Sequence, residues 1–97
     1  MKISSISIIF PIYNEEKRLY RCFDDIKKFN QKNKNLKKEY LFINDGSLDN
    51  SYKIIKRFIK QNKKKNCKYK LINQTKNRGK GYALKIGEKH STYKWAL

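Results

Sequence analysis

The sequence contains one proline, four glycines and two cysteines in 97 residues, and each scarcity excludes a class of protein. So little proline and glycine, beside 38% hydrophobic residues, indicates a globular chain and excludes a disordered one. The cysteines, Cys22 and Cys67, lack C-x-x-C spacing, and His90 is the only histidine. A disulfide scaffold and a zinc site are therefore excluded, and we expect reduced, partly buried cysteines in a cytoplasmic protein.

A long hydrophobic run is also missing. The first ten residues, MKISSISIIF, contain one lysine and a short apolar stretch. That stretch is too short for a signal peptide or a membrane span. The length allows one domain at most, or a piece of a larger one, with a single modest core.

Acidic residues are few, with 8 Asp and Glu against 25 Lys and Arg, and the net charge is +17. A basic RNA-binding protein is one interpretation, because cationic side chains neutralise phosphates. However, most of the basic residues are lysines scattered along the chain, whereas arginine is the side chain that reads base edges. Lysine, asparagine and isoleucine are also what AT-rich codons encode. We therefore predict no nucleic-acid partner, and at most a weak attraction to anionic membrane surfaces.

The chain alternates between strand-like and helix-like patterns in three units, at about 3–35, 39–66 and 68–91. Short β-branched or aromatic runs at 6–10, 40–43 and 69–73 predict buried strands. Apolar residues at steps of three and four predict a helix from Glu15 to about Lys32, with Glu15 and Glu16 in its first turn. Two further helices follow the other strands, and residues 94–97 resemble the start of a fourth strand.

Strands that alternate with helices predict a parallel sheet, so the loop after each strand lies at the same, carboxyl edge. These loops are at 11–15, 44–49 and 75–80. In open α/β sheets this is the edge where ligands bind. The sequence therefore predicts an α/β, Rossmann-like parallel sheet with flanking helices and a site built from three loops.

Asp45 follows the second predicted strand and begins an Asp-Gly pair. Its carboxylate could accept a hydrogen bond from a nucleobase or a ribose, or it could bond its own backbone in a turn. The start of the second helix is equally open, since Ser47, Asp49 or Ser51 could cap it.

The other two loops add candidate ligands. Pro11 ends the first strand, Tyr13 offers a flat face for a base, and Glu15 opens the helix. In the third loop Lys80 stands between two glycines before a helix, which suits a diphosphate. Neither the Walker pattern nor G-x-G-x-x-G is present.

Three segments, SIIFPIYNEEKRL, YLFINDGSLDNS and NRGKGYALKIG, together resemble the N-terminal region of family 2 glycosyltransferases. The resemblance implies a GT-A fold and a nucleotide-sugar donor, UDP- or GDP-hexose. It implies that Pro11, Tyr13 and Glu15 border the base and ribose, that Asp45 bonds the base, and that Lys80 belongs to the third motif. The N-R-G-K-G version looks most like members that glycosylate a polyprenyl phosphate, at the cytoplasmic face of a membrane. Asn44 departs from the family, which often has aspartate there.

The family pattern continues with a D-x-D strand whose carboxylates hold Mg²⁺ or Mn²⁺, and this sequence ends at KWAL, where that strand would begin. By this comparison residues 1–97 form a single partial domain, an incomplete GT-A fold. The metal ligands and any catalytic residues lie outside it, and the chain alone is expected to be inactive. The alternative to an enzyme portion is a non-catalytic nucleotide-binding fragment.

Overall fold

The computed structural model describes residues 4–93. Strands and helices alternate along this part of the chain: β1 (Ser5–Ile12), α1 (Leu19–Lys32), β2 (Lys37–Asp45), α2 (Ser51–Gln61), β3 (Cys67–Gln74) and α3 (Lys80–His90). The fourth strand predicted at 94–97 lies outside the described residues. Both cysteines are free thiols at half-buried positions, as expected. Burial and the nearby Asp25 carboxylate raise the pKa of the Cys22 thiol to about 11.

The strands form one parallel sheet in the order β1-β2-β3. Helices α1 and α2 pack on one face of the sheet and α3 packs on the other, which gives three layers. This is the Rossmann-like arrangement that the alternating pattern predicted, and it places the ends of all three strands at one edge.

Strand β2 lies at the centre, and every residue from Lys38 to Asp45 is buried. Its aromatic side chains, Tyr40 and Phe42, face α1 and α2, while Leu41 and Ile43 face α3. Across the first face the rings of Phe23 and Phe58 stack with centroids 3.9 Å apart. Each buried ring contributes roughly 1.5–3 kcal/mol of transfer free energy, so the aromatic layer dominates this small core.

Two predicted boundaries were wrong. Strand β1 continues through Pro11 to Ile12, because β1 lies at an edge of the described sheet, where a missing N–H costs no bond. Helix α1 begins at Leu19, not at Glu15, and no acidic residue stands in its first turn. The Glu15 carbonyl accepts the N–H groups of Arg18 and Leu19, so a turn precedes the helix.

A buried carboxylate, Glu39, organises the sheet near its amino edge on the α3 side. Its oxygens accept from Ser7 Oγ at 2.8 Å and from the Thr92 N–H at 2.7 Å. Lys70 Nζ lies 3.0 Å from Oε2. Burial by itself would raise the pKa of Glu39, but hydrogen bonds from Thr92, Ser7 and Lys70 outweigh it and lower the pKa to about 2.

The depressed pKa predicts acid sensitivity. The folded state favours the Glu39 carboxylate, so its contribution to stability is complete above the ordinary pKa of 4.5 and is lost as the pH falls towards 2. The loss amounts to about 3 kcal/mol at most. Urea unfolding at pH 6, 4 and 2.5 measures it. Glu39→Gln should be less stable than the wild type at pH 6 and nearly equal to it at pH 2.5. A difference in free energy of unfolding between the wild type and Glu39→Gln that does not narrow at low pH would contradict the lowered pKa of Glu39.

Candidate functional site

The loops after β1 and β2 are tied together by side chains that bond backbone groups of the opposite loop. Ser47 Oγ accepts the Asn14 N–H at 3.0 Å, and Asn14 Oδ1 accepts the Leu48 N–H at 2.8 Å. Asn14 has a φ of 50°, a left-handed conformation that asparagine tolerates better than most residues. Reciprocal bonds of this kind satisfy loop backbone groups that no strand or helix can satisfy.

A second set of bonds joins the same two loops closer to α2. Ser51 Oγ accepts the Glu15 N–H at 3.0 Å. Asp49 Oδ2 accepts the Glu16 N–H at 3.2 Å, while Oδ1 accepts the Ser51 N–H at 2.9 Å. Of the three candidate caps, Asp49 bonds the start of α2, and the Ser47 and Ser51 hydroxyls bond the first loop instead. Burial by itself would raise the pKa of Asp49, but hydrogen bonds with the Ser51 side chain and with backbone N–H groups hold that pKa below its usual range.

Asp45 joins the second loop to the third. Its Oδ1 accepts the N–H of Arg78 and its Oδ2 accepts the N–H of Gly79, both at 2.9 Å. The side chain is buried, with 3% of the residue exposed. The turn interpretation, in which Asp45 bonds its own loop, is therefore not what the structure has. Each carboxylate oxygen thus accepts one backbone N–H, and the two hydrogen bonds fix the chain that leads into α3.

Gly46 allows the second and third loops to touch. Its φ is +72°, and an added Cβ would lie 2.5 Å from the backbone nitrogen of Asn77 and 2.6 Å from the carbonyl carbon of Lys76. Both atoms are main chain, so they could not move without displacing the whole third loop. Glycine is required here for its left-handed conformation and also for the close approach of two backbones.

The three loops enclose a cavity of about 310 Å³ at the carboxyl edge of the sheet. Its walls contain every residue that the sequence proposed as a nucleotide contact, together with two others: Pro11, Ile12, Tyr13, Glu15, Asp45, Asn77 and Lys80. Small-molecule sites have volumes of about 300–1,000 Å³, so this cavity is large enough for part of a ligand of that class. The predicted residues, spread over 70 positions of sequence, are thus brought together.

The cavity offers one flat apolar face and charges of both signs. Tyr13 is 42% exposed, which leaves its ring accessible. Glu15 forms an ion pair with Arg18 at 3.3 Å. Lys80 is the first residue of α3, whose N-terminus has no side-chain cap. A lysine beside an uncapped helix N-terminus is a suitable environment for an anionic group.

Several polar residues of the site were not predicted as contacts. Asn14, Ser47, Asp49 and Asn77 position the loops. For Ser47 and Asp49 the signal in the sequence was the density of Ser, Asp and Asn around Gly46. Asn44 is buried and donates from Nδ2 to Asn73 Oδ1 at 2.7 Å, so it links β2 to β3.

Residues 4–93 contain no group of three or more His, Cys, Asp or Glu side chains that could hold a metal ion. The Mg²⁺ or Mn²⁺ that the family resemblance implies therefore finds no such set of ligands among these residues. The Asp45 carboxylate is already bonded to two backbone N–H groups. Within the same part of the chain, no helix is long and apolar enough to cross a membrane.

Comparisons with known proteins relate the chain to glycosyltransferases. The family model described as Glycosyl transferase family 2 matches residues 7–97. The chain is 40% identical over 96 residues to a dolichyl-phosphate beta-glucosyltransferase of Dictyostelium discoideum, a match covering 95% of this chain and 29% of that protein. It is 31% identical over 96 residues to a poly-beta-1,6-N-acetyl-D-glucosamine synthase of Staphylococcus epidermidis, covering 99% of this chain and 21% of that protein.

A solved structure shares the fold. It is a mannosyltransferase from Pyrobaculum calidifontis in complex with GDP-Man and Mn²⁺, with a TM-score of 0.74 and 22% identity. The match covers 92% of this chain and 24% of that one. The expected GT-A type of fold is thereby confirmed. The chain spans only about a quarter of the length of these relatives.

Proposed function

Because this chain belongs to glycosyl transferase family 2, we propose that the cavity at the carboxyl edge binds the nucleotide of a UDP- or GDP-hexose. The observation that carries the proposal is the convergence of Pro11, Tyr13, Glu15, Asp45 and Lys80 around one space of about 310 Å³. Those residues come from three loops that are far apart in sequence. The loops are held to each other by at least seven hydrogen bonds, so the cavity is preorganised.

Each residue has a role that follows from its chemistry. Tyr13 stacks on the base, because its ring is accessible at the mouth of the cavity. Pro11 forms an apolar wall, and Glu15 accepts from a ribose hydroxyl. Lys80 and the N-terminus of α3 attract the diphosphate. The Arg78 and Gly79 N–H groups already donate to the Asp45 carboxylate, so only its remaining lone pairs could accept a hydrogen bond from the base. We therefore assign Asp45 mainly to positioning the third loop.

The full-length protein is proposed to transfer the hexosyl group to a polyprenyl phosphate. A relative that is named as a dolichyl-phosphate beta-glucosyltransferase supports this choice of acceptor. Such an acceptor would bring the protein to the cytoplasmic surface of a membrane. For the 97-residue chain alone we propose nucleotide binding without transfer, because residues 4–93 offer no cluster of metal ligands.

Titration with UDP, GDP and their hexose conjugates, followed by calorimetry, tests the site. Tyr13→Ala should weaken binding about tenfold, since stacking of a base on an aromatic ring is worth roughly 1–3 kcal/mol. Tyr20→Ala is the matched control, because Tyr20 is a 60% exposed tyrosine on α1 outside the cavity. Lys80→Gln should weaken UDP binding about fivefold and leave uridine binding unchanged.

Two results would contradict the proposal. The first is an absence of binding by any of these nucleotides to a folded chain. The second is an equal loss of affinity in the Tyr13 and Tyr20 variants, which would place the ligand elsewhere.

A further inference from the structure

The lysines that look scattered in sequence meet at the amino edge of the sheet, opposite the nucleotide cavity. Residues 27–38 contain six lysines and residues 60–68 contain five, and neither segment contains an aspartate or a glutamate. The two segments are joined where the Lys38 N–H donates to the Asn66 carbonyl at 2.8 Å. They meet because α1 and α2 both end at this edge.

Helix dipoles do not account for so much positive charge. A helix C-terminus carries about half a negative charge, which one nearby cation already balances. The terminal carbonyls are also occupied, since Asn33 Nδ2 donates to the Phe29 carbonyl at 3.0 Å and Asn62 Nδ2 donates to the Phe58 carbonyl at 2.8 Å. The lysines of this edge therefore exceed what the ends of α1 and α2 require.

One of these lysines is buried. Lys38 is 1% exposed, and its ammonium donates to the Asn33 carbonyl at 2.5 Å. No carboxylate within the described part of the chain lies within ion-pair distance of it. An ammonium has three N–H donors, and a buried charge is costly unless it is paired. Lys70 shows the contrast, because its ammonium lies 3.0 Å from the Glu39 carboxylate.

Lys38 also lies in the wall of a cavity of about 320 Å³. Four lysines, two amide side chains and one cysteine line it: Lys34, Lys38, Lys64, Lys65, Asn30, Gln31 and Cys67. Every one of these side chains can donate a hydrogen bond, and none is a carboxylate. A buried, incompletely bonded cation at the wall of a donor-lined cavity is a site that an anion would complete.

We propose that this amino-edge cavity, defined by Lys34, Lys38, Lys64 and Lys65, binds a phosphate group. Lysine ammoniums bind phosphate as point charges, and the cavity gathers four lysines with no arginine among them. The lining also contains no aromatic ring on which a nucleic-acid base could stack. The site is separate from the nucleotide cavity by roughly the length of an eight-residue strand, about 25 Å.

A phosphate could come from a small soluble compound or from a lipid headgroup, and the experiment separates these sources. The 97-residue chain, carrying Lys80→Gln to weaken the other cavity, is titrated with pyrophosphate while backbone amide resonances are followed. Parallel samples receive phosphatidylcholine vesicles with or without 20% phosphatidic acid. We expect pyrophosphate to shift the amides of residues 33–38 and 64–67. Binding to vesicles only when they contain phosphatidic acid would identify a lipid headgroup as the source of the phosphate, whether or not pyrophosphate shifts these amides.

Paired variants with equal net charge distinguish a site from general attraction. Lys64→Gln with Lys65→Gln should weaken the phosphate response at least tenfold. Lys53→Gln with Lys56→Gln, which changes two exposed lysines of α2 outside the cavity, should change it less than twofold. Equal losses in the two double variants would overturn the proposal, because they would indicate attraction by net charge alone. A chain that responds to neither pyrophosphate nor phosphatidic acid would overturn it as well.

Lys38→Met gives a second readout. Removal of a buried cation that has one acceptor should raise the melting temperature of the ligand-free chain. Pyrophosphate should then stabilise the parent chain but not this variant. A variant that melts lower and still gains stability from pyrophosphate would contradict the role of Lys38.

Discussion

Gly46→Ala is expected to destabilise the chain by roughly 3–5 kcal/mol. A left-handed backbone costs a non-glycine residue about 1–2 kcal/mol. The new Cβ would also lie 2.5 Å from the Asn77 nitrogen, a main-chain atom that has no side-chain rotamer with which to move away. The third loop would have to separate from the second, and the cavity would open. Urea unfolding with matched nucleotide titrations measures both effects.

Gly81→Ala is the matched control. Gly81 lies in the first turn of α3, and an added Cβ there meets no atom within 4 Å. Alanine is a better helix former than glycine, so this variant should be more stable by about 0.5–1 kcal/mol. If the free energy of unfolding of Gly46→Ala lies within about 0.5 kcal/mol of that of the parent chain, the close contact between the second and third loops does not require a glycine at this position.

Asp45→Asn is expected to lower both stability and nucleotide affinity. The amide can accept only one of the two N–H groups that the carboxylate now accepts, and its own NH₂ would face the other. Losing one of these partly buried, charge-assisted bonds and leaving an N–H without its acceptor should cost about 2 kcal/mol. The third loop would lose its attachment to β2, so UDP or GDP should bind more weakly by about tenfold or more.

This pair of measurements separates positioning from direct contact. If Asp45 acted only on the base, the variant would bind poorly and unfold normally. If Asp45 acted only in folding, the variant would lose stability and bind normally once folded. Asp24→Asn, at an exposed aspartate of α1, should change neither quantity. Urea unfolding gives the stability and calorimetry gives the nucleotide affinity, both measured on the same preparations.

The parallel sheet and the meeting of three loops could be predicted because they follow from order along the chain. Strands that alternate with helices place their carboxyl ends together whatever the side chains are. The boundaries were less predictable. Pro11 ends a central strand but can continue an edge strand, and local sequence does not reveal which strand is at the edge. Glu15 and Glu16 suit the first turn of a helix. In the structure they lie in a turn instead, where their N–H groups donate to Ser51 and Asp49, more than 30 residues away.

Long-range partners also account for what was missed at the site. The sequence allowed Asp45 to be a ligand or the start of its own turn, and the structure gives its carboxylate to the backbone of the third loop. The same limit applies to charge. Lysines at 34, 38, 64 and 65 are separated by a whole strand and helix, and only the parallel crossover brings them to one cavity. A pattern reveals what a residue can do, whereas its partner is set by the fold.

Mapping of backbone amide shifts during titration with UDP and GDP tests whether the three loops bind the nucleotide. Binding at the carboxyl edge predicts the largest shifts at Tyr13, Glu15, Arg78 and Lys80. The shift at Tyr13 should require the nucleoside, whereas shifts along residues 33–38 at the opposite edge should be the same with pyrophosphate alone. Saturation should follow one binding curve for all four amides. Shifts confined to the amino edge, or no shifts at millimolar nucleotide in a chain with dispersed resonances, would contradict the assignment of a nucleotide site to the three loops.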